Sequence, residues 1–150
     1  MSVARLIRIQ CDTTARPTAP AIGRWTVDPV SECLSPLRTE ISEFARRSGL
    51  SPDETDAALL ITNELVSNVI DHARTSCRVT IRLTSTAVRI YVSDHSPAEP
   101  VLRPHDVQAA RGRGIQIVTG LARRWGCSRH DGGKTVWACV DRDPLDTGPG

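Results

Sequence analysis

The chain has almost no lysine. Of its 19 basic residues only Lys134 is lysine and the rest are arginine, a skew that, with abundant alanine, looks like high-GC coding rather than function. No apolar run approaches the roughly 20 residues of a membrane-spanning helix, so no membrane partner is expected. The opening stretch MSVARLIRIQCD interrupts its apolar residues with arginines, which argues against a secretory leader and for a cytoplasmic location. The five cysteines, Cys11, Cys33, Cys77, Cys127 and Cys139, contain no CxxC pair and no Cys/His pair at metal-ligand spacing. That pattern argues against a disulfide framework or a zinc site and for reduced, mostly buried thiols. A net charge of +2 is too small to imply a nucleic-acid partner. The arginines at 5, 8, 24, 38, 46, 78, 82, 89 and 123 are spread over every predicted element, so no direct nucleic-acid contact is expected. No internal repeat is visible.

What is present reads as one domain. Residues 1–21 hold a possible strand, VARLIRIQC, and a Thr/Ala/Pro-rich linker. Arg24–Val27 is a short strand candidate. Ser35-Pro36 has the form of a helix start, with Ser as N-cap and Pro at the first helical position. That helix would bury Leu37, Ile41, Phe44 and Ala45 and stop at Gly49. Ser51 and Glu54 have capping-box spacing and predict a second helix running to about Ala73. The period then changes to two. Cys77–Leu83 and Ala87–Asp94 predict a β-hairpin with one face buried. A Pro-rich loop, a helical pattern from Ile115 to Ala122 and a second hairpin follow, Trp125–His130 and Lys134–Val140 around Asp131-Gly132-Gly133. Residues 142–150 predict a flexible tail. The layout implies an α+β two-layer sandwich, a mostly antiparallel sheet with helices on one face.

Within the second helix, ITNELVSNVIDHA places Glu64, Asn68, Asp71 and His72 on one stripe, with Leu65, Val66, Val69 and Ile70 opposite. Carboxylates are rarely buried without partners, so the stripe either faces solvent or lines a pocket. Glu64 and Asn68, one turn apart, offer oxygens that suit a hard cation and a water. Asp94 ends a central strand, and an ionised carboxylate there accepts hydrogen bonds, as from an exocyclic amine. Gly112-Arg113-Gly114 opens a helix, where bare backbone and a helix N-terminus suit a phosphate. Thr135 follows Gly132-Gly133 on the last hairpin.

In this order the motifs resemble the GHKL (Bergerat-fold) ATPase superfamily, and within it the small anti-sigma-factor serine kinases. Glu64-Leu-Val-Ser-Asn68 with Asp71-His72-Ala73 resembles the N box. Asp94-His-Ser96-Pro97 resembles the first glycine box, and Arg111-Gly112-Arg113-Gly114-Ile115 the second. Gly132-Gly133-Lys134-Thr135-Val136-Trp137 is similar to the closing strand pair. The likeness spans residues 22–141. It implies ATP and Mg²⁺ as cofactors, with Asn68 as metal ligand and Glu64 as the base that prepares a nucleophile. It implies that Asp94 takes the adenine amine, supported by Thr135. Ser96, Arg111, Gly112, Arg113 and Gly114 would contact the nucleotide, under a lid formed by residues 95–111. His72 would be structural.

The implied partners are a sigma factor and an anti-sigma factor antagonist of the STAS type, with self-association into a homodimer. One reading is therefore a serine/threonine kinase acting on the antagonist. Ser96-Pro97 and Glu99-Pro100 stand where the family has glycines, and proline stiffens a loop and removes a donor. This supports a second reading, a nucleotide-dependent partner switch without significant kinase activity. A full sensor histidine kinase is not expected in a chain of this length.

Overall fold

A computed structural model describes residues 7–12, 20–96 and 120–142. Two short strands come first, β1 (Ile7–Asp12) and β2 (Ala21–Val27). A 3₁₀ turn, Ser31–Cys33, leads into helix α1 (Leu34–Arg47), and helix α2 follows over Pro52–Asn68. The chain then continues as β3 (Cys77–Leu83), β4 (Ala87–Asp94), β5 (Arg124–His130) and β6 (Gly133–Asp141). The six strands form one sheet in the order β1-β2-β3-β4-β6-β5, and every neighbouring pair is antiparallel. The sandwich is thus as expected, with a described sheet that is antiparallel throughout.

Period-two burial sets one face of the sheet against the helices. β3 alternates strictly: Cys77, Val79, Ile81 and Leu83 are buried, and Arg78 and Arg82 are exposed. Val88, Ile90 and Val92 of β4 continue that inner face, and Leu37, Ile41 and Phe44 of α1 meet it with Ile61, Leu65 and Val66 of α2. Trp25 of β2 packs edge-on to Phe44 at a centroid distance of 5.5 Å, closing one end of the core. Burying such side chains contributes about 1.5–3 kcal/mol each, the main drive for the two layers to stay together.

The helix starts divide into one expected and one displaced. At α2 the predicted capping box forms: Glu54 N–H donates to Ser51 Oγ (3.1 Å) and Ser51 N–H donates to Glu54 Oε1 (2.9 Å). At α1 the helix begins before the predicted cap. Cys33 N–H already bonds the Val30 carbonyl, so the 3₁₀ turn supplies the nucleus. Ser35-Pro36 falls in the first turn instead, where proline's missing donor is tolerated. The predicted stop is found where expected, with Gly49 at φ 78°, a left-handed conformation open to glycine. Further on, α2 leaves the regular helical pattern immediately after Asn68. Val69–Ala73 is a π-helical turn that closes on Arg74, itself left-handed at φ 55°.

Arg142, read from sequence as the first residue of a flexible tail, is instead a tether. Its Nε donates to Glu54 Oε2 (3.1 Å) and its Nη1 to the Thr84 carbonyl (2.9 Å). It joins the end of β6 to the start of α2 and the β3–β4 turn. Burial alone raises the Glu54 carboxyl, but the hydrogen bonds from Ser51 and Arg142 outweigh it and hold the group below its ordinary value. Arg142→Ala is expected to lower stability by about 2 kcal/mol, since it strips the partner from a largely buried carboxylate. A depressed carboxylate stabilises the fold above its unfolded pKa and loses that contribution as pH falls through the folded value. The gap between wild type and variant should therefore narrow in acid. Urea melts at neutral and acidic pH measure it, and coincident neutral curves would refute the tether.

Candidate functional site

Two polar clusters lie on or beside the helical layer. The first is on α2. Glu64 and Asn68 are half-buried, one turn apart, and with Ser67 and Asp71 they line a cavity of about 260 Å³. Ser31, Leu34 and Ile70 complete its wall. Among the described residues neither Glu64 nor Asn68 has a side-chain partner. The Glu64 carboxyl is pushed above its ordinary value by desolvation. The π turn begins at the next residue after Asn68, so Asp71 is carried to the same cavity while His72 stays exposed. The polar stripe thus lines a pocket, except for His72.

The second cluster is built on Asp94 at the end of β4. Asp94 is 2% exposed and faces the helices. Its Oδ1 accepts from the Ser96 N–H (2.8 Å) and from Lys134 Nζ (3.2 Å). Lys134 Nζ also lies 3.0 Å from Oδ2, yet off the angle of a hydrogen bond, so Oδ2 is a buried acceptor with its bond unmade. Such an atom is costly to leave without a donor. An exocyclic amine is the kind of donor it lacks, and in this respect the site fits an adenine ring.

Lys134 is the residue that the sequence reading missed. The expected partner, Thr135, belongs to the other side of the sheet. The register pairs Asp94 with Lys134 and Ser93 with Thr135, so side-chain alternation sends Thr135 to the face without helices. There its Oγ1 lies 2.7 Å from Ser93 Oγ and 3.1 Å from His130 Nε2. The structure therefore does not bring Thr135 to Asp94. The available signal was that Lys134 is the one lysine in the chain and follows two glycines. Gly133 lets β6 come this close, because a Cβ there would collide with the Asp94 carbonyl.

The two clusters are linked through the chain. Only residues 74–76 separate the π turn from Cys77, the cross-strand partner of Asp94. Thr75 Oγ1 also accepts from the His95 N–H at 3.2 Å. Cys77 itself is inert: burial first, then the charge of Asp94, raises its thiol to about 12. Cys33 and Cys139 are buried as expected, whereas Cys127 is exposed.

Arg111, Gly112, Arg113 and Gly114, with all of the expected lid beyond Ser96, lie outside the described residues. No group of three His, Cys, Asp or Glu side chains among the described residues could cage a metal. The Glu64–Asn68 pair suits Mg²⁺ in its usual manner, held by few protein oxygens together with phosphate oxygens and water. Among the described residues no helix is long and apolar enough to cross a membrane.

A comparison with known families agrees with this geometry. The model of the histidine kinase-like ATPase domain matches residues 29–140. No curated protein gives a significant match.

Proposed function

The chain belongs to the histidine kinase-like ATPase domain family, within the GHKL superfamily, and from that premise we propose that it is an ATP-dependent regulator that phosphorylates a serine or threonine of an anti-sigma factor antagonist. The observation that carries the reading is Glu64: a half-buried carboxyl, raised by desolvation, one turn from Asn68 on a cavity wall. In the proposed reaction Glu64 takes the proton of the acceptor hydroxyl as that oxygen attacks the γ-phosphorus and ADP leaves. Asn68 contributes an amide oxygen to Mg²⁺, which neutralises charge on the phosphates when bound. Asp94 Oδ2 receives the adenine amine, with Lys134 holding the carboxylate in place. The partners are then a STAS-type antagonist as substrate and a sigma factor as the protein held in check, in the cytoplasm and with the regulator self-associated.

The test is to mix the purified chain with its candidate antagonist and Mg-ATP and to measure phosphoserine and phosphothreonine. Asn68→Ala is expected to bind ATP with the Mg²⁺ dependence lost, as read by calorimetry with and without the ion. ATP binding that stays Mg²⁺-dependent in Asn68→Ala would remove that residue from the metal site.

A second reading has its own support. Ser96 occupies a glycine-box position and is followed by proline, and its N–H is committed to Asp94 Oδ1. That amide is not available to a phosphate. A nucleotide-dependent partner switch without significant phosphotransfer needs the adenine contact but not the phosphate loop. ATP-dependent binding of a sigma factor or antagonist with no phosphorylated product would favour it over the kinase.

A further inference from the structure

The face of the sheet without helices carries a charge pattern that the sequence hides. Arg24, Arg78, Arg82, Arg89 and Arg124 come from four different strands, separated by up to a hundred positions. Strand register gathers them. Arg82 pairs directly with Arg89, Arg89 with Cys139, and Cys139 with Arg124. Three arginines therefore lie in one transverse row across β3, β4, β6 and β5, a span of about 14 Å at the usual strand spacing. All five guanidinium side chains are on exposed residues, and among the described residues none forms an ion pair or hydrogen bond. Like charges directly opposite one another weaken a sheet. The fold carries that repulsion at Arg82–Arg89, and the acid on the same face diagonal to Arg89, Asp141, is held by Arg123 at 3.0 Å.

The next row is aromatic. Tyr91 and Trp137 are direct cross-strand partners and half-buried on the same face. Arg89, Tyr91, Arg124, Ser128 and Trp137 line an open cleft of about 350 Å³. Arginine, tyrosine and tryptophan are the residue types that dominate protein–protein hot spots. The charge here is local: the whole chain is only +2, exposed acids such as Glu43, Asp53 and Asp56 sit on the helices, and Asp141 at the edge of this face is paired with Arg123. A long polyanion would meet little general attraction, whereas a compact acidic patch would be matched.

We propose that this helix-free sheet face docks an acidic segment of a partner protein, its carboxylates on the Arg82–Arg89–Arg124 row and an apolar side chain in the Tyr91–Trp137 cleft. The surface is on the opposite side of the sheet from Asp94, so this inference stands or falls separately from nucleotide binding.

The probe is a short fluorescein-labelled peptide alternating glutamate and leucine, followed by anisotropy and by tryptophan emission. Binding is expected at low salt, weakening as salt rises, with a change in emission that disappears in Trp137→Phe. The triple variant Arg82→Gln, Arg89→Gln, Arg124→Gln is expected to bind about tenfold more weakly. Its thermal melt should be no lower than wild type, since the Arg82–Arg89 repulsion is removed, and its ATP affinity unchanged, which separates a lost docking face from a lost fold. Equal binding by the triple variant, or no binding at low salt, overturns the proposal. Tighter binding of an oligothymidine of matched charge overturns it too, and would make the face a nucleic-acid track.

Discussion

Asp94→Asn is expected to lower ATP affinity by about 100-fold, because a hydrogen bond to a charged group is worth about 1.5–3 kcal/mol and the new amide also turns a donor toward a donor. The same substitution harms the fold. Lys134, whose side chain is 7% exposed, loses its only charged partner among the described residues. Leaving one member of a buried ion pair alone costs about 3–5 kcal/mol. Affinity and stability therefore fall together, and the single variant cannot tell recognition from unfolding. The double variant Asp94→Asn, Lys134→Met separates them. Removing both charges is close to neutral when the replacement packs well, so the double variant should recover most of the lost stability. It should not recover ATP binding, because the acceptor for the amine is still gone. Calorimetry with ATP and urea melts on the same samples read both quantities. Recovery of ATP binding along with stability would mean that Asp94 serves the fold and not the base. Lys134→Met alone completes the cycle: it strands the carboxylate and is expected to lower stability on the same scale.

How much of this was legible in the sequence follows from the range of each signal. The capping box at Ser51–Glu54 and the alternation in Cys77–Leu83 and Ala87–Asp94 are local, and each formed where it was read. The start of α1 was misplaced because a 3₁₀ turn ahead of it nucleated the helix, and such a turn has no firm sequence mark. Arg142 looked like tail because its bonds to Glu54 and Thr84 span long sequence separations. Thr135 was placed beside Asp94 on the strength of a motif. Strand register decided otherwise, since a one-residue offset moves a side chain to the opposite face. The same rule explains the arginines. Dispersed in sequence, they share a face only through pairings of β2, β3, β4, β6 and β5, which no single segment encodes. Glu64 and Asn68 needed no such information, because helical spacing alone puts them on one side, whereas the π turn after Asn68 set Asp71 in the cavity and His72 outside it.

Glu64→Gln is expected to reduce phosphotransfer by about 10²- to 10⁴-fold, the range a positioned general base contributes, while ATP affinity stays near wild type. Glutamine keeps the size and loses the proton acceptor. The raised carboxyl sets the pH dependence. In the folded protein desolvation disfavours the ionised form, so the group contributes most to stability below its unfolded pKa and loses that contribution as pH rises through the folded value. At neutral pH the ionised Glu64 is therefore a strain on the fold, and Glu64→Gln should be no less stable than wild type there. Catalysis has the opposite requirement, because only the ionised form takes a proton. Phosphotransfer should fall off in acid with a limb above glutamate's ordinary value, and that limb should vanish from the residual activity of Glu64→Gln. Following product formation across pH, beside melts of both proteins, tests the two signs together. A stable variant with lost turnover and a flat acid limb would place the base at Glu64. A variant that transfers phosphate as fast as wild type would assign the raised carboxyl to burial alone and leave partner switching as the function of the site.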